Sequence, residues 1–224
     1  CMTICRQWAW KPDDKMKTLP ECLQTLIRTA GGDGNLLFNV GPMPTGEIEP
    51  RQVERLKEMG AWLSKSGASI YGTRGGPFKP ARHLVSTRKD NTIYLHILAW
   101  PDEVLSLPAL PARIVRGSVL TGGAARFEQT DAGIEISVPR SDRREIDTVV
   151  ALQLDRPAMD IAPIAVASVG QSLAEGTKAT ASNVYQQSDH YAAAMAVDGD
   201  GGTRWATDAG TGPCWLEVDL GRAE

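Results

Sequence analysis

The sequence lacks several features that would assign it to a class at once. Its longest apolar runs are strand-sized, well short of the roughly 20 residues that a membrane-spanning helix needs. Its 24 lysines and arginines are slightly outnumbered by 27 aspartates and glutamates among 224 residues, and no clustered basic face of the kind that binds nucleic acid is evident. Internal repeats and low-complexity tracts are also missing. We therefore expect a globular protein without a membrane span and without a nucleic-acid partner.

Cysteine is scarce and its spacing is uninformative. The four cysteines are Cys1, Cys5, Cys22 and Cys214. They form no CxxC pair, and no histidine lies at a zinc-like distance from them. Disulfide pairing stays open, but the general burial preference of cysteine favours buried free thiols.

The first segment, residues 1–76, begins with a helical signal. Thr18 and Glu21 have the spacing of a capping box, and Pro20 lies in the first turn. Leucines and an isoleucine then recur at helical spacing until the glycine pair at 31–32, which predicts the helix end.

A strand and a second helix complete this segment. The apolar run around 35–40 predicts a strand, and a second helix is predicted from Pro50 to about Ser66. The order helix, strand, loop, helix indicates one βα unit of an α/β architecture. The second helix is expected to bury one apolar face, formed by Val53, Leu56, Met59 or Gly60, and Leu63.

The second segment, residues 77–162, carries no helical period. Short β-rich runs are separated by proline, glycine and aspartate, which predicts an antiparallel β-sandwich module. The runs are "NTIYLHILAW", "ARIVRGSVLTG", "GIEISVP" and "EIDTVVALQLD".

The third segment, residues 165–224, is rich in small residues and aspartate. It is shorter than the ~100 residues of an independent sandwich, and it stops directly after the strand-like run "WLEVDL". The chain also starts at Cys1 instead of methionine. We therefore expect both ends to be cut from a longer protein.

Asn39 is the first candidate functional residue. In barrels of alternating strands and helices, the loops after the strands form the active-site face, and Asn39 ends the predicted strand. The alternative is that the amide caps local backbone groups and shapes the loop, whose Gly41–Pro42 pair predicts a tight turn. Spacing alone favours this second role.

Several blocks in the first segment, in order, resemble the α-L-fucosidases of glycoside hydrolase family 29. That family typically shows "WExCMTI…SWGY", "GGNLLLNIGP…DGxI", "ERL…GxWL" and "AIYGT". The matching stretches here are "CMTICRQWAW", "GGDGNLLFNVGPMPTGEI", "ERLKEMGAWL" and "SIYGT". The β-rich region that follows fits the C-terminal sandwich domain of the same enzymes.

The resemblance implies a retaining exo-glycosidase, which uses two carboxylates about 5–5.5 Å apart. The nucleophilic aspartate and the acid/base glutamate are both expected upstream of Cys1, so this chain alone should be inactive. Trp8 and Trp10 are implied substrate-binding residues because aromatic walls commonly hold the apolar face of a sugar, although a buried core role is the alternative. The resemblance also raises Asn39 to a substrate-binding candidate. Glu47 and Glu49 lie in the loop after the predicted strand, on the catalytic face if the chain is part of a barrel. The expected role of both is favourable charge near a helix N-terminus, and the alternative is that they substitute for the missing catalytic carboxylates.

The tail resembles the first half of a discoidin or coagulation-factor C-type module, a group that includes family 32 carbohydrate-binding modules. Its blocks "DGD", "TRW" and "WLEVDLG" carry the likeness. Trp205 and Trp215 are expected in its core. The resemblance implies a structural Ca²⁺ held through Asp198, Asp200 and Thr203, since clustered oxygen ligands suit this ion. The alternative is a turn rich in Asp and Gly.

The predicted fold is α/β plus all-β. It comprises the last βα unit of a truncated (β/α)8-type barrel (1–76), an antiparallel β-sandwich (77–162), and the N-terminal part of a discoidin-like carbohydrate-binding module (165–224). The implied function is an α-L-fucosidase that releases terminal α-L-fucose from fucosylated glycans, with no cofactor for catalysis. The alternative is a non-catalytic carbohydrate-binding protein, which would not need the motif in 34–76. An extracellular or periplasmic setting is expected by analogy.

Overall fold

A computed structural model describes residues 1–166, 174–200, 203–208, 210 and 212–221. The chain divides into two compact units, Cys1–Ala167 and Ser168–Glu224. The first unit contains both the helical segment and the β-rich segment.

The first unit opens with two successive strand–helix units. They are β1 (Met2–Thr3), α1 (Leu19–Gly31), β2 (Phe38–Asn39) and α2 (Pro50–Ser66). The strands pair in parallel, with Met2 opposite Phe38 and Thr3 opposite Asn39, as a helical crossover connection permits. The sequence predicted one such unit, because a two-residue strand is too short to show a period of two.

Helix α1 confirms its predicted start. The Thr18 hydroxyl accepts the Glu21 N–H at 3.3 Å, and the Thr18 N–H donates to the Glu21 carboxylate at 2.6 Å. This reciprocal capping box satisfies two N–H groups that have no intrahelical partner. The helix buries a single stripe, formed by Cys22, Leu23, Ile27 and Gly31.

Helix α2 has the predicted bounds, and its predicted apolar face is partly confirmed, since Met59 is buried and Val53 and Leu63 are half-buried. Its buried residues are Gln52, Met59 and Ser66, seven positions apart, whereas Leu56 is exposed. The predicted apolar face was therefore wrong for Leu56. The reason is tertiary, since Met59 and the neighbouring Trp62 pack into a cluster with α1 and the sheet, and this contact sets the rotation of the helix.

The rest of the first unit is two sheets in which every pairing is antiparallel. Their strand orders are β3-β4-β5-β10-β7 and β6-β9-β8. The strands are β3 (Arg74–Gly75), β4 (Leu84–Lys89), β5 (Thr92–Ile97), β6 (Leu105–Pro108), β7 (Ile114–Val119), β8 (Arg126–Thr130), β9 (Gly133–Ser137) and β10 (Thr148–Leu154). The four β-rich runs singled out in the sequence contain β5, β7, β9 and β10.

The five-stranded sheet has a buried cluster on each face. One core joins it to the three-stranded sheet and includes Leu84, Leu95, Leu107 and Ile136. On β4 the next residue, Val85, instead joins the helical cluster with Cys22, Leu23, Ile27 and Met59. The alternation of side chains along a strand thus lets one sheet serve two cores.

The second unit contains β11 (Lys178–Ala181) and β12 (Leu216–Asp219), which pair antiparallel. The strand predicted from "WLEVDL" is confirmed. Trp215 is exposed, so its expected core position was wrong in this unit. Trp205 is partly buried and donates its indole N–H to the Asn183 carbonyl at 2.9 Å.

Two of the four cysteines follow the predicted burial. Cys5 and Cys22 are buried thiols, while Cys1 and Cys214 are exposed, so the burial preference failed for that second pair. In the part of the chain that the structure describes, no helix combines the length and apolarity needed to cross a membrane.

Candidate functional site

The loops that follow β1 and β2 meet at one edge of the parallel pair. We call residues 4–17 and 40–49 the carboxyl-edge loops, because each leaves the carboxyl end of its strand. Trp8 and Trp10 lie in the first loop, and Asn39 ends the strand that leads into the second. In α/β barrels this edge forms the active-site face.

Asn39 connects the two carboxyl-edge loops. Its Nδ2 donates to the backbone carbonyl of Trp8 at 2.8 Å. The amide therefore holds the first loop in place, a contact that matches its expected loop-shaping role. The Trp8 side chain is 59% exposed, which makes it available to a ligand.

Gly41 brings the loop backbones together. A Cβ atom added at this position would lie 2.5 Å from the Trp10 backbone nitrogen and 3.0 Å from its Cα. Only glycine permits so close an approach. The glycine of the predicted Gly41–Pro42 turn thus also places Trp10.

Glu49 anchors the Trp10 side chain. The indole N–H of Trp10 donates to Glu49 Oε2 at 3.2 Å. The same carboxylate accepts hydrogen bonds from Arg51 and, at 3.4 Å, from Gln52. The hydrogen bond from Arg51, supported by those from Gln52 and Trp10, lowers the pKa of the Glu49 carboxyl, so the group is ionised at neutral pH.

This role of Glu49 was missed by sequence reasoning. Glu49 is the N-cap of α2, yet its side chain makes no capping hydrogen bond. The expectation that it only supplies charge at the helix N-terminus was therefore incomplete. Its partner Trp10 is 39 residues away in sequence, so no local spacing could have indicated the pair.

The first carboxyl-edge loop is also held by its own polar groups. The Lys17 ammonium donates to the carbonyls of Thr3 at 2.8 Å and Cys5 at 3.1 Å. The Asp14 carboxylate accepts the Gln7 N–H at 2.7 Å. These contacts pre-order the loop, which lowers the entropic cost of presenting its aromatic side chains to a ligand.

The predicted metal-binding residues lie together in the second unit. Four acceptor oxygens surround the Thr203 hydroxyl: the Asp198 carboxylate oxygens at 2.8 and 2.7 Å, the Asp200 carbonyl at 2.8 Å and the Met195 carbonyl at 3.2 Å. A hydroxyl has only one hydrogen to donate. Two backbone N–H groups also donate to these oxygens, that of Asp200 to Asp198 Oδ1 at 3.0 Å and that of Thr203 to the Asp200 carbonyl at 3.2 Å. The cluster thus gathers carboxylate, carbonyl and hydroxyl oxygens, the ligand types that suit a hard cation.

The negative charge of Asp198 also favours a bound cation at this cluster. The hydrogen bond from Thr203, followed by that from the Asp200 N–H, lowers the pKa of Asp198 and keeps it ionised. In the described ranges, no group of three or more His, Cys, Asp and Glu side chains could hold a metal. A cation here would therefore need carbonyl and hydroxyl oxygens among its ligands.

Comparison with known proteins gives a consistent result. A family model described as Alpha-L-fucosidase matches residues 1–68. The Alpha-L-fucosidase of Branchiostoma floridae is 28% identical over 162 residues, covering 65% of this chain and 35% of that protein. The Plasma alpha-L-fucosidase of Homo sapiens is 33% identical over 110 residues, covering 45% of this chain and 24% of that protein. The chain thus spans about a third or less of these relatives.

Solved structures extend the likeness beyond the family-model match. The Alpha-L-fucosidase isoenzyme 1 from Paenibacillus thiaminolyticus superimposes with a TM-score of 0.63 at 27% identity, covering 68% of this chain and 38% of that chain. The Thermotoga maritima alpha-fucosidase in complex with fucose gives 0.53 at 29% identity, covering 67% and 38%. The superimposed part, about two thirds of this chain, is larger than the 68 of 224 residues that the family model matches. The superposition therefore includes the antiparallel sheets as well.

Proposed function

We propose that this chain, whose residues 1–68 match the α-L-fucosidase family model, is part of a retaining α-L-fucosidase acting on fucosylated glycans. In this proposal β1, α1, β2 and α2 are the last two strand–helix units of a (β/α)8 barrel. The two antiparallel sheets are the following sandwich domain, and the second unit is the first part of a discoidin-like carbohydrate-binding module.

The observation that carries the proposal is the pair of carboxyl-edge loops. Trp8, Trp10 and Asn39 lie at the carboxyl ends of two strands that pair in parallel. This supports the assignment, because barrel enzymes bind substrate at the carboxyl edge of their strands. An exposed indole at Trp8 can cover the apolar face and methyl group of fucose. The exposed side chains of Leu37 and Leu56 are the kind of surface that further barrel strands and helices would cover.

The chemistry assigned to this chain is binding and not bond cleavage. A retaining glycosidase needs a nucleophile and an acid/base, two carboxyl groups about 5–5.5 Å apart. In the proposal both lie in other parts of the enzyme. Residues here orient the sugar, and the polar groups of the carboxyl-edge loops keep that surface in shape.

Removing the Trp8 indole tests this assignment. In an enzyme that contains this chain, Trp8→Ala should lower kcat/KM for an aryl α-L-fucoside about 10–100-fold, because an aromatic wall that excludes water is lost. Steady-state release of the aryl alcohol measures the effect.

Tyr71→Ala is the matched control, since Tyr71 is a similarly exposed aromatic residue, at 61%, but follows α2. It should leave kcat/KM unchanged. Equal losses in both variants would contradict a specific role for Trp8. Absence of fucoside hydrolysis by the wild-type enzyme would contradict the proposed function itself.

The alternative, a non-catalytic carbohydrate-binding protein, is less well supported. It explains the sheets and the second unit but not the family match over residues 1–68. An extracellular or periplasmic setting remains our proposal, by analogy with enzymes that carry glycan-binding appendages.

For the second unit we propose a structural Ca²⁺ bound through Asp198, Asp200 and Thr203. The convergence of carboxylate, carbonyl and hydroxyl oxygens on the Thr203 side chain supports this. When bound, the ion would hold the oxygens of Asp198, Asp200 and Thr203 together.

Calcium should therefore stabilise the chain measurably. At 100 times its dissociation constant, the ion is expected to add about 2.7 kcal/mol to the unfolding free energy of the second unit. Calorimetry with CaCl2 and after EDTA treatment measures this. Asp198→Ala should abolish the calcium response, whereas Asp189→Ala, which removes an exposed carboxylate of the same unit, should retain it. A response unchanged in Asp198→Ala would refute the site.

A further inference from the structure

Asn39, Gly41 and Glu49 each contact the first carboxyl-edge loop, and of these three residues only Glu49 fixes an aromatic side chain. Asn39 holds the Trp8 carbonyl at 2.8 Å, and Gly41 admits the Trp10 backbone. Both contacts position main chain. The bond from the Trp10 indole N–H to Glu49 Oε2, at 3.2 Å, positions a ring.

The Glu49 side chain is held in one position by its burial and its hydrogen bonds. It is only 14% exposed, and Arg51 and Gln52 bind the same carboxylate. Because both partners belong to the first turn of α2, the acceptor for Trp10 is attached to a regular helix. A hydrogen bond to a charged acceptor is roughly twice as strong as one between neutral groups.

Fixing Trp10 also restricts Trp8. The two tryptophans are separated only by Ala9, and the backbone between them is held by Asn39 at one end and by Gly41 at the other. With the Trp10 ring anchored as well, few backbone rotations remain that could move the Trp8 Cβ atom away from the edge, and the ring turns only about its own χ1 and χ2.

We propose that Glu49 is a positioning residue of the fucose-binding edge: by anchoring Trp10 it presents Trp8 to the sugar. This inference rests on the proposed function. Glu49 does not touch the substrate and takes no part in bond cleavage. Its effect is expected in sugar binding, because the orientation of a binding wall is lost when its anchor is removed.

Glu47 provides a contrast within the same loop. Its carboxylate accepts a hydrogen bond from the Thr45 hydroxyl at 3.2 Å, and this bond stays within the second carboxyl-edge loop. Glu47→Ala therefore removes a nearby carboxylate without removing an anchor, and it is the matched control for Glu49→Ala.

The test measures KM and kcat for an aryl α-L-fucoside in the enzyme that contains this chain. Glu49→Ala should raise KM about tenfold while kcat changes less than about twofold. Glu49→Gln should restore part of the loss, since its amide oxygen can still accept the indole N–H. Trp10→Phe, which has no N–H, should raise KM similarly, and the double variant should show no further increase. Glu47→Ala should match the wild type.

The hydrogen bond between the Trp10 indole and Glu49 can also be monitored directly by NMR. In the ¹H–¹⁵N spectrum of the chain, the Trp10 indole resonance should move in Glu49→Ala and less in Glu49→Gln, while the remaining resonances confirm that both variants are folded. Additive effects of Glu49→Ala and Trp10→Phe, or an unchanged KM in Glu49→Ala, would overturn the role of Glu49. Failure of the wild type to hydrolyse the fucoside would instead refute the proposed function.

Discussion

Replacing Asp147 by alanine is expected to lower the unfolding free energy of the first unit by about 3–5 kcal/mol, as for other buried pairs that lose one partner. Asp147 Oδ2 lies 2.7 Å from Nδ1 of His96, and both side chains are 0% exposed. His96 lies on β5 between Val85 of β4 and Val149 of β10. The variant would leave a buried imidazole nitrogen without an acceptor.

The pair lies on the helical side of the five-stranded sheet. The His96 ring is 6.4 Å from that of Trp62 on α2, so α2 helps to exclude water from it. Among the described residues, neither His96 Nε2 nor Asp147 Oδ1 has a hydrogen-bond partner. The contact between the two side chains is therefore their main compensation for burial.

Urea unfolding measures the prediction, with Asp147→Asn as the matched control. Asparagine keeps a carbonyl oxygen that can accept from His96, so its cost should be clearly smaller. A double variant that replaces both residues by apolar ones should cost less than the sum of the single variants. Additive costs would show that the two groups do not act as a pair.

Asp147 also makes the free energy of unfolding depend on pH, and the direction follows from its pKa. Burial raises the pKa of the Asp147 carboxyl, and the opposing effect of His96 is smaller. A carboxyl whose folded pKa exceeds its unfolded value of about 3.9 contributes stability fully below that value and loses it as pH rises through the folded pKa. The stability of the wild type relative to Asp147→Asn should therefore fall as pH rises above about 4. A constant difference would contradict the assigned direction.

Gly31→Ala is expected to destabilise the first unit by about 1–3 kcal/mol through overpacking. Gly31 ends α1 against β4, and an added Cβ would lie 1.9 Å from Val85 Cγ1 and 3.1 Å from the Ser86 carbonyl oxygen. Val85 is β-branched, so its side chain has few rotamers in which to retreat. The helix would have to move away from the sheet.

The same substitution in α2 should have the opposite effect. At Gly60 an added Cβ meets nothing within 4 Å, so Gly60→Ala should stabilise the chain by about 0.5–1 kcal/mol through its higher helix propensity. Thermal or urea unfolding of both variants gives the comparison. Adding Val85→Ala to Gly31→Ala should recover part of the lost packing. Stabilisation by both glycine substitutions would show that the approach of α1 to β4 is looser than described.

Local signals accounted for much of the fold. The capping box of Thr18 and Glu21 and the proline at position 50 located the starts of α1 and α2, because both act through neighbouring backbone groups. The β-rich runs likewise indicated β5, β7, β9 and β10. Strand β4 was missed, although Leu84 and Val85 are both buried. Its run "LVSTRK" has only two aliphatic residues, Leu84 and Val85, side by side, so it shows neither a long apolar stretch nor an alternation.

The sequence by itself determined the helices, the main strands and the fucosidase blocks, since these are recorded in residues close together along the chain. Tertiary structure alone decided which face of α2 is buried, that β1 exists, and that Glu49 anchors Trp10. It also decided that His96 meets Asp147. These last pairs are separated by 39 and 51 residues, and a contact between distant residues leaves no period or spacing in one sequence from which it could be read.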